Sequence, residues 1–570
     1  MLTPRPDGLL ESVRAVRLPF MAPRLQGELR PDGKLEVALW GAGALAHVHL
    51  TRLAGPYVYG PNRVTTPTGG LFVAQGRPVL LVRGAQLVGL IPARRPAAWA
   101  EPSEAVMAGG LVELAWGRLI ARQCGDGVLI AAGADSAEAE SALAYSAPEI
   151  VAEADAHVAR CDRLQQADPI LRSLVMHGLH AGLASVRRAA NGAFAGLSAG
   201  LAYSAPARTY FRDSYWTTAL LLQIDPAVVR AEIDLLAEGV QPDGEAPSGV
   251  IVGGEAQARQ WRRAIADDPE LARAHLRPGE WWSDHFDSPL YFVLMVADYV
   301  RVTGDPEPAQ RHWDRLKAIF RRYRRLSGDS GLPLKPRHDR DWADNVFRTG
   351  FVAYDVGLWI GAADALAELA GERDQAVRSE ARTAAALARS AIEARLWRPS
   401  GWYADYSADD FVEDHLTLDS LTLLAFDAAS PDKALATLEA IRTTLESRWN
   451  DRQPYGDWGM LCAFPPYRRR TDLRGKSAFP FRYHNGGDWP WLDALYARER
   501  LRRGLSGWRY PLTRWWEACL TNGWPGAVEH FSPPYGRGSL LQAWSSLAAA
   551  VTLTHSQAVL AGDPDLRVRA

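Results

Sequence analysis

Beyond residue 165 the chain reads as twelve helical segments whose connections alternate between short and long. Apolar periodicity predicts helices over 169–190, 214–223, 226–239, 285–303, 307–326, 352–370, 374–396, 413–427, 431–447, 485–503, 506–522 and 538–555. Before the third and later odd helices the connections are short, as in Ile224-Asp225, Gly304-Asp305-Pro306 and Gly371-Glu372-Arg373. Before the even helices they are mostly longer and rich in Gly, Pro, Trp and acidic residues. Short connections join antiparallel neighbours. Six such hairpins, with the long loops gathered at one end, describe an (α/α)6 toroid with even helices inside and odd helices outside.

The residues at the even-helix entries narrow the chemistry. Helix 2 begins at Arg212-Asp213-Ser214 and helix 4 at Asp284-His285-Phe286-Asp287-Ser288. Helix 6 follows Asp341-Trp342-Ala343-Asp344-Asn345, and helix 8 follows Asp405 through Asp410 with Glu413-Asp414. Helix 10 follows Arg482-Tyr483-His484-Asn485-Gly486-Gly487-Asp488-Trp489, and helix 12 follows Glu529-His530. Helix capping accounts for any single acid, since Asp and Ser suit the positive end of a helix. It leaves unexplained the Trp, His and Arg that accompany the acids at entry after entry. With all six loops opening into one crater, carboxylates, Trp and His make a sugar site with acid/base chemistry at hand. Tryptophan usage agrees: of 21, only Trp40, Trp99 and Trp116 precede residue 200.

Residues 1–135 have another texture. Lys34–Trp40 and Ala46–Thr51 alternate polar and apolar, and 78–83, 110–116 and 127–130 are short apolar runs bounded by Gly, Asp or Pro. They predict an antiparallel β-sandwich-like domain. An Ala/Glu-rich stretch over 136–165 reads as a helical linker, which leaves 166–570 for the toroid. The expected fold is therefore mostly α, a toroid preceded by a β domain.

Composition excludes several classes. Sixty-four basic against 66 acidic side chains, net −2, is not the balance of a general nucleic-acid binder. No apolar run reaches the length of a membrane span, and the first residues lack the apolar core of a signal peptide. Four scattered cysteines (Cys124, Cys161, Cys462, Cys519) form no CxxC pair, so free thiols and a reducing, cytoplasmic setting are expected. No metal motif is visible, no cofactor is expected, and oligomeric state is open.

The loops resemble those of the six-hairpin glycosidases. Asp341-Trp342-Ala343-Asp344-Asn345, continuing through Arg348 to Asp355-Val356-Gly357-Leu358-Trp359, is similar to a stretch of neutral/alkaline invertases. So is Tyr483-His484-Asn485-Gly486-Gly487-Asp488-Trp489-Pro490. Arg212-Asp213, Asp287 before Tyr299-Val300-Arg301-Val302-Thr303-Gly304-Asp305, Trp342-Ala343-Asp344, and Glu529 before Gln542-Ala543-Trp544-Ser545 resemble the glucosidase module of glycogen-debranching enzymes. The resemblance spans about 168–555 and rests on the shared order of the motifs.

It implies an inverting glycoside hydrolase cleaving an α-glucosidic bond in a small or branched saccharide. Asp344 would be the general acid and Glu529 the general base, about 6.5–9.5 Å apart to admit the attacking water. Asp341 is the rival for the acid, or a like charge that raises the pKa of Asp344. Arg212 and Asp213 would grip sugar hydroxyls with Asp287 and His484 as partners. Trp342, Trp489 and Trp216 are stacking candidates, and the Asp457 loop is a rim candidate. Asp405, Asp409 and Glu413 read as a solvated acidic face. The rival readings are a disaccharide phosphorylase, a non-catalytic carbohydrate-binding protein, and an epimerase or lyase using His285, His415 or His484.

Overall fold

A computed structural model describes residues 1–94, 110–252, 285–336, 339–408 and 410–567. Trp99, Asp284 and Asp409, named above, lie outside the described residues.

The N-terminal region is two antiparallel sheets. One has five strands, in spatial order Leu87–Pro92, Gly43–Leu50, Lys34–Leu39, Leu25–Leu29 and Leu18–Met21. The other has nine and runs from Thr3–Pro4 at one edge to Leu111–Leu114 at the other. Alternation sets the faces. In Lys34–Leu39 the residues Leu35, Val37 and Leu39 are buried, while Lys34, Glu36 and Ala38 face outward. Leu25, Leu35 and Val48 of the smaller sheet share one core with Leu71, Leu80 and Val128 of the larger. The linker forms two helices, Ser136–Leu143 and Ala147–Cys161, against the larger sheet.

All twelve helical positions of the second region are present. Helix Phe211–Ile224 packs against Ser288–Thr303, which packs against Ala353–Ala370; Leu421–Ala425, Pro490–Arg502 and Leu547–Thr554 follow, and the last returns to Phe211–Ile224. Helices Ser288–Thr303 and Ala353–Ala370 of this ring are buried around most of their circumference. Several odd helices bury a narrower stripe, whereas the first, Pro169–Ser185, is buried on nearly every side. In Gln375–Arg395 the stripe is Ala381, Ala384, Ala385, Ala388 and Ile392, the i, i+3, i+4 face of an amphipathic helix. Gly357 and Gly361 let the ring close tightly: a Cβ on Gly357 would lie 2.4 Å from Thr422 Oγ1, and one on Gly361 2.6 Å from the Phe426 ring.

Two expected helices are shorter than their sequence suggests. The eighth spans only Leu421–Ala425, because Tyr406–Ser407 pairs with Val412–Glu413 and Leu416–Thr417 pairs with Ala463–Phe464. The twelfth is Leu547–Thr554 after a 3-10 turn at Ala543–Ser546. Cys161, Cys462 and Cys519 are buried free thiols, and Cys124 is half-buried. Among the described residues no helix is long and apolar enough to cross a membrane.

The β region is clasped to the helices by polar contacts. The buried Arg187 donates to Ala22 O and Gln26 Oε1, and its guanidinium lies 5.0 Å from the Trp40 ring. Gln26 Nε2 in turn donates to Leu201 O. This contact turns the outward face of the five-stranded sheet toward the long loops.

Candidate active site

Two carboxyl-bearing loops define the site. Asp344 sits on the turn after strictly buried anchors. Asp341 has no exposed side-chain surface and accepts from Ala343 N (2.8 Å) and Arg348 Nη2 (2.7 Å). Arg348 also donates to Asp405 Oδ1 (2.7 Å) and to Asp419, and Trp342 Nε1 donates to Asp419 Oδ2 (2.6 Å). Lys335 Nζ caps Arg348 O (2.7 Å) and lies 3.5 Å from Asp341. The cluster fixes residues 341–348 and leaves Asp344 at its tip, with 18% of its side chain exposed and Oδ1 without a hydrogen-bond partner.

Glu529 sits on a different frame. Its N–H donates to Ser539 O (2.9 Å), Ser539 N returns a hydrogen bond to Glu529 Oε2 (3.0 Å), and Phe531–Ser532 pairs with Gly536–Arg537 to close the hairpin. Asp488 and Phe531 exchange backbone hydrogen bonds, which docks this hairpin on the entry to helix Pro490–Arg502.

The two carboxyls share one electrostatic environment. Burial pushes Asp344 up to about 6, helped by the charges of Glu529 and Asp341 and opposed by Arg212 and Arg340. Burial also raises Glu529, against the Ser539 N–H and Lys476, which favour its ionised form. Asp213 is pushed up to about 7 by burial, despite Arg212, and accepts from Gln542 Nε2 (3.1 Å). The Glu529 charge and burial keep the Tyr203 phenol protonated; burial, then Asp344 and Glu529, do so for Tyr483. Tyr483 holds a left-handed backbone (φ 54°) against the Gly486-Gly487 turn, its carbonyl accepting from Gly487 N (2.9 Å).

Glu529, Tyr203, Tyr483 and Lys476 line a cavity of ≈730 Å³. Its opposite wall is the outward face of the five-stranded sheet, at Gln26, Glu28, Glu36, Ala38, Ala44 and His47. The volume lies within the range of small-ligand sites.

Several expected roles are corrected by burial. Asp287 is fully buried and cannot touch a sugar. It accepts from Arg212 Nε (2.6 Å) and Nη2 (3.0 Å) and from Tyr354 OH (2.9 Å), so it aims Arg212. Behind it Tyr354 meets Tyr291 OH (2.6 Å), which accepts from Trp216 Nε1 (3.1 Å). Trp216 is therefore part of the core and no stacking platform. Trp342 and Trp489 are likewise buried and form an aromatic layer with His484, whose ring stacks on Trp489 at 4.9 Å. His484 Nδ1 lies 3.7 Å from Asp344 Oδ1, but burial holds this imidazole neutral, so the contact is not an ion pair. Asp341 is no rival for the acid. Arg348 and Lys335 overcome its burial and hold it ionised, well below the ordinary carboxylate range. Asp405 and Glu413 are buried and paired with Arg348 and Arg468, not solvated. Asp457 is half-exposed and tied to Tyr510 and Arg514.

Sequence reading assigned no part to Arg348, Tyr203, Tyr483 or Lys476. Arg348 and Tyr483 stand inside the two quoted motifs, so the signal was present there; Tyr203 and Lys476 carry none.

No family model and no curated protein matches the chain by sequence. Solved structures do match its fold. A bacterial glucoamylase complexed with acarbose superposes with a TM-score of 0.62 at 11% identity, over 96% of this chain and 95% of that one. A rhamnosidase from Klebsiella oxytoca with rhamnose bound gives 0.54 at 14% identity, over 98% and 100%. Both matches run through the β and the helical regions, so the chain shares the two-part fold of these glycoside hydrolases.

Proposed function

We propose that the chain is an inverting glycoside hydrolase that cleaves an α-glucosidic bond in a short or branched saccharide, built on an (α/α)6 toroid whose inner ring is the closed circuit of even helices. The observation that carries this reading is the pairing of Asp344 and Glu529. The charge of the buried Glu529 raises Asp344, at the tip of a separate loop, and Arg212 and Asp213 lie in the same electrostatic surroundings. Asp344, kept protonated to about pH 6, protonates the departing glycosidic oxygen. Glu529, whose ionised form the Ser539 N–H supports, takes a proton from the attacking water. Water adds at the anomeric carbon as the glycosidic C–O bond breaks, so configuration inverts. Arg212, aimed by Asp287, and Asp213, held by Gln542, bind hydroxyls of the sugar being released. The glucoamylase with acarbose supports a glucoside, and the rhamnosidase adds a rhamnoside to the substrates worth offering.

A phosphorylase is the second reading, because Lys476 and Arg537 line the same cavity as Glu529 and are suited to phosphate. One assay separates the two. Sucrose, trehalose, kojibiose, isomaltose, maltose, panose, limit dextrin and an α-rhamnoside are offered with and without phosphate, beside Asp344→Asn and Glu529→Gln. Phosphate-independent sugar release, lost in both variants, is the expected result. Strict phosphate dependence would establish the phosphorylase. Release that survives both substitutions would overturn the acid/base assignment.

A further inference from the structure

We propose that segment 470–482, on the rim that joins the Asp344 loop to the Glu529 hairpin, binds an acidic saccharide. Phe479 and Tyr535 take the C–H face of a sugar ring, and Arg482 and Lys476 take its carboxylate or sulfate group. The inference rests on the glycosidase reading of the two carboxyls and names the class of substrate that reaches them.

The backbone fixes the position. Arg474 N donates to Asn345 O (2.9 Å) and Phe347 N to Asp472 O (2.8 Å), so one end of the segment is tied beside Asp344. At the other end Phe479 meets Tyr535, at the tip of the Glu529 hairpin, with ring centroids 6.4 Å apart. Lys476, between these ends, lines the cavity with Glu529. Asn485 Nδ2 donates to Ser477 O (3.0 Å), and Asn485 O accepts from Phe481 N (2.7 Å). Phe481 (φ 60°) and Tyr483 (φ 54°) hold left-handed backbones on either side of Arg482, a conformation that persists only where the surroundings impose it.

Exposure and charge select the ligand. The four most exposed aromatic side chains among the described residues are Phe479 (51%), Trp449 (43%), Tyr535 (41%) and Tyr455 (37%). Two of the four are neighbours here, unlike apolar residues scattered singly over a surface. An exposed ring offers its face to the C–H groups of a pyranose. The Arg482 guanidinium lies 4.9 Å from the Tyr535 ring and 5.6 Å from the Phe479 ring. An arginine stacked on rings keeps its N–H edge for an anion. The chain as a whole is net −2, yet Arg468 to Lys476 holds five basic residues and one acid. Glu413 and Asp414 neutralise Arg468, and Asp472 lies 3.9 Å from Arg469. Arg470, Arg474, Lys476 and Arg482 form no ion pair among the described residues. A local excess of positive charge beside exposed rings fits an acidic sugar better than a neutral one.

The test holds the sugar backbone constant and changes its charge. Dextran, carboxymethyl-dextran and dextran sulfate are titrated calorimetrically into parent, the double variant Arg482→Gln with Lys476→Gln, and the double variant Phe479→Ala with Tyr535→Ala, at low and high salt. Phe479, Tyr535 and Lys476 are exposed and Arg482 is half-buried, so these changes open no core. The rim predicts that at least one acidic dextran binds about tenfold more tightly than dextran at low salt, and that salt erodes the preference. The cation variant should lose about fivefold of that preference. The ring variant should weaken binding of the acidic dextran about fivefold. Which acidic dextran binds identifies carboxylate or sulfate as the group recognised. Equal affinity for all three dextrans, or a preference that survives the cation variant, overturns the site. Poly(U) bound as tightly as the acidic dextran, or binding indifferent to the ring variant, marks the rim as a general polyanion surface and also overturns it. Binding needs no turnover, so failure of the glycosidase reading is read separately, as absent hydrolysis of every neutral disaccharide with these affinities intact.

Discussion

The loop that carries Asp344 and the hairpin that carries Glu529 solve one problem by opposite means. The first is clamped by buried ions: Arg348 reaches Asp341, Asp405 and Asp419, and every member is at most 2% exposed. The second is clamped by backbone hydrogen bonds, between Glu529 and Ser539 and between Asp488 and Phe531. The difference extends to the carboxyls. Asp344 is given no donor for Oδ1, while Glu529 is given the Ser539 N–H. A carboxyl left without donors prefers its proton, and one that accepts an N–H tolerates ionisation. The Glu529 charge adds to the burial that raises Asp344, so the two carboxyls differ in what surrounds each of them.

Breaking the ionic clamp should have the largest effect. Arg348→Ala takes the guanidinium away from three buried carboxylates and should cost about 3–5 kcal/mol in chemical denaturation. A loss below about 1 kcal/mol would show that the clamp does not hold the acid loop. The hairpin's dock offers the next contrast. Asp488 and Asp493 are buried side by side, and burial raises both, Asp488 to about 7. A raised carboxyl stabilises the fold below its unfolded value near 3.9 and loses that contribution as pH climbs through the folded value. Asp493→Asn should therefore recover about 1–2 kcal/mol of the stability the parent loses as pH climbs from about 4 through about 7, read from melts across that range. An unchanged pH dependence would contradict the upward shift of this pair.

Smaller effects sharpen the comparison. Tyr354→Phe removes one donor to Asp287 and should cost about 1 kcal/mol. Because Asp287 acts through Arg212, the change should appear in KM more than in kcat. Lys476→Met removes a cation that favours ionised Glu529. It should move the acidic limb of the kcat/KM profile up by ~0.5 pH unit, most clearly at low salt, and leave the basic limb of Asp344 near pH 6 unmoved.

Much of the architecture was legible because loops punctuate it. Alternating linker lengths gave the order of the twelve helices; the acids at their entries only marked the loops, and it was the resemblance that singled out Asp344 and Glu529. Helix 8 was overread because Leu416–Thr417 pairs with Ala463–Phe464, a partner no local window contains. Asp287 and Trp216 differ from expectation for a related reason, as does Asp341 as a rival acid, while its other reading, a like charge that raises Asp344, agrees with the structure. A carboxylate at a helix entry looks alike in sequence whether it faces a crater or is lidded by Arg212, Tyr354 or Arg348 from elsewhere in the chain. The sheet wall was illegible, since alternation in 34–39 reveals an outward face but not what it faces.

The most direct test of the central claim exploits what a leaving group needs. Fluoride departs without a proton, whereas a sugar alkoxide requires one, but both reactions need an activated water. Hydrolysis of α-glucosyl fluoride and of the best disaccharide is compared in parent, Asp344→Asn and Glu529→Gln. The account predicts that Asp344→Asn loses about 10²–10⁴-fold on the disaccharide and far less on the fluoride, while Glu529→Gln loses both. Equal losses on the two substrates in Asp344→Asn, or fluoride hydrolysis retained in Glu529→Gln, would contradict it.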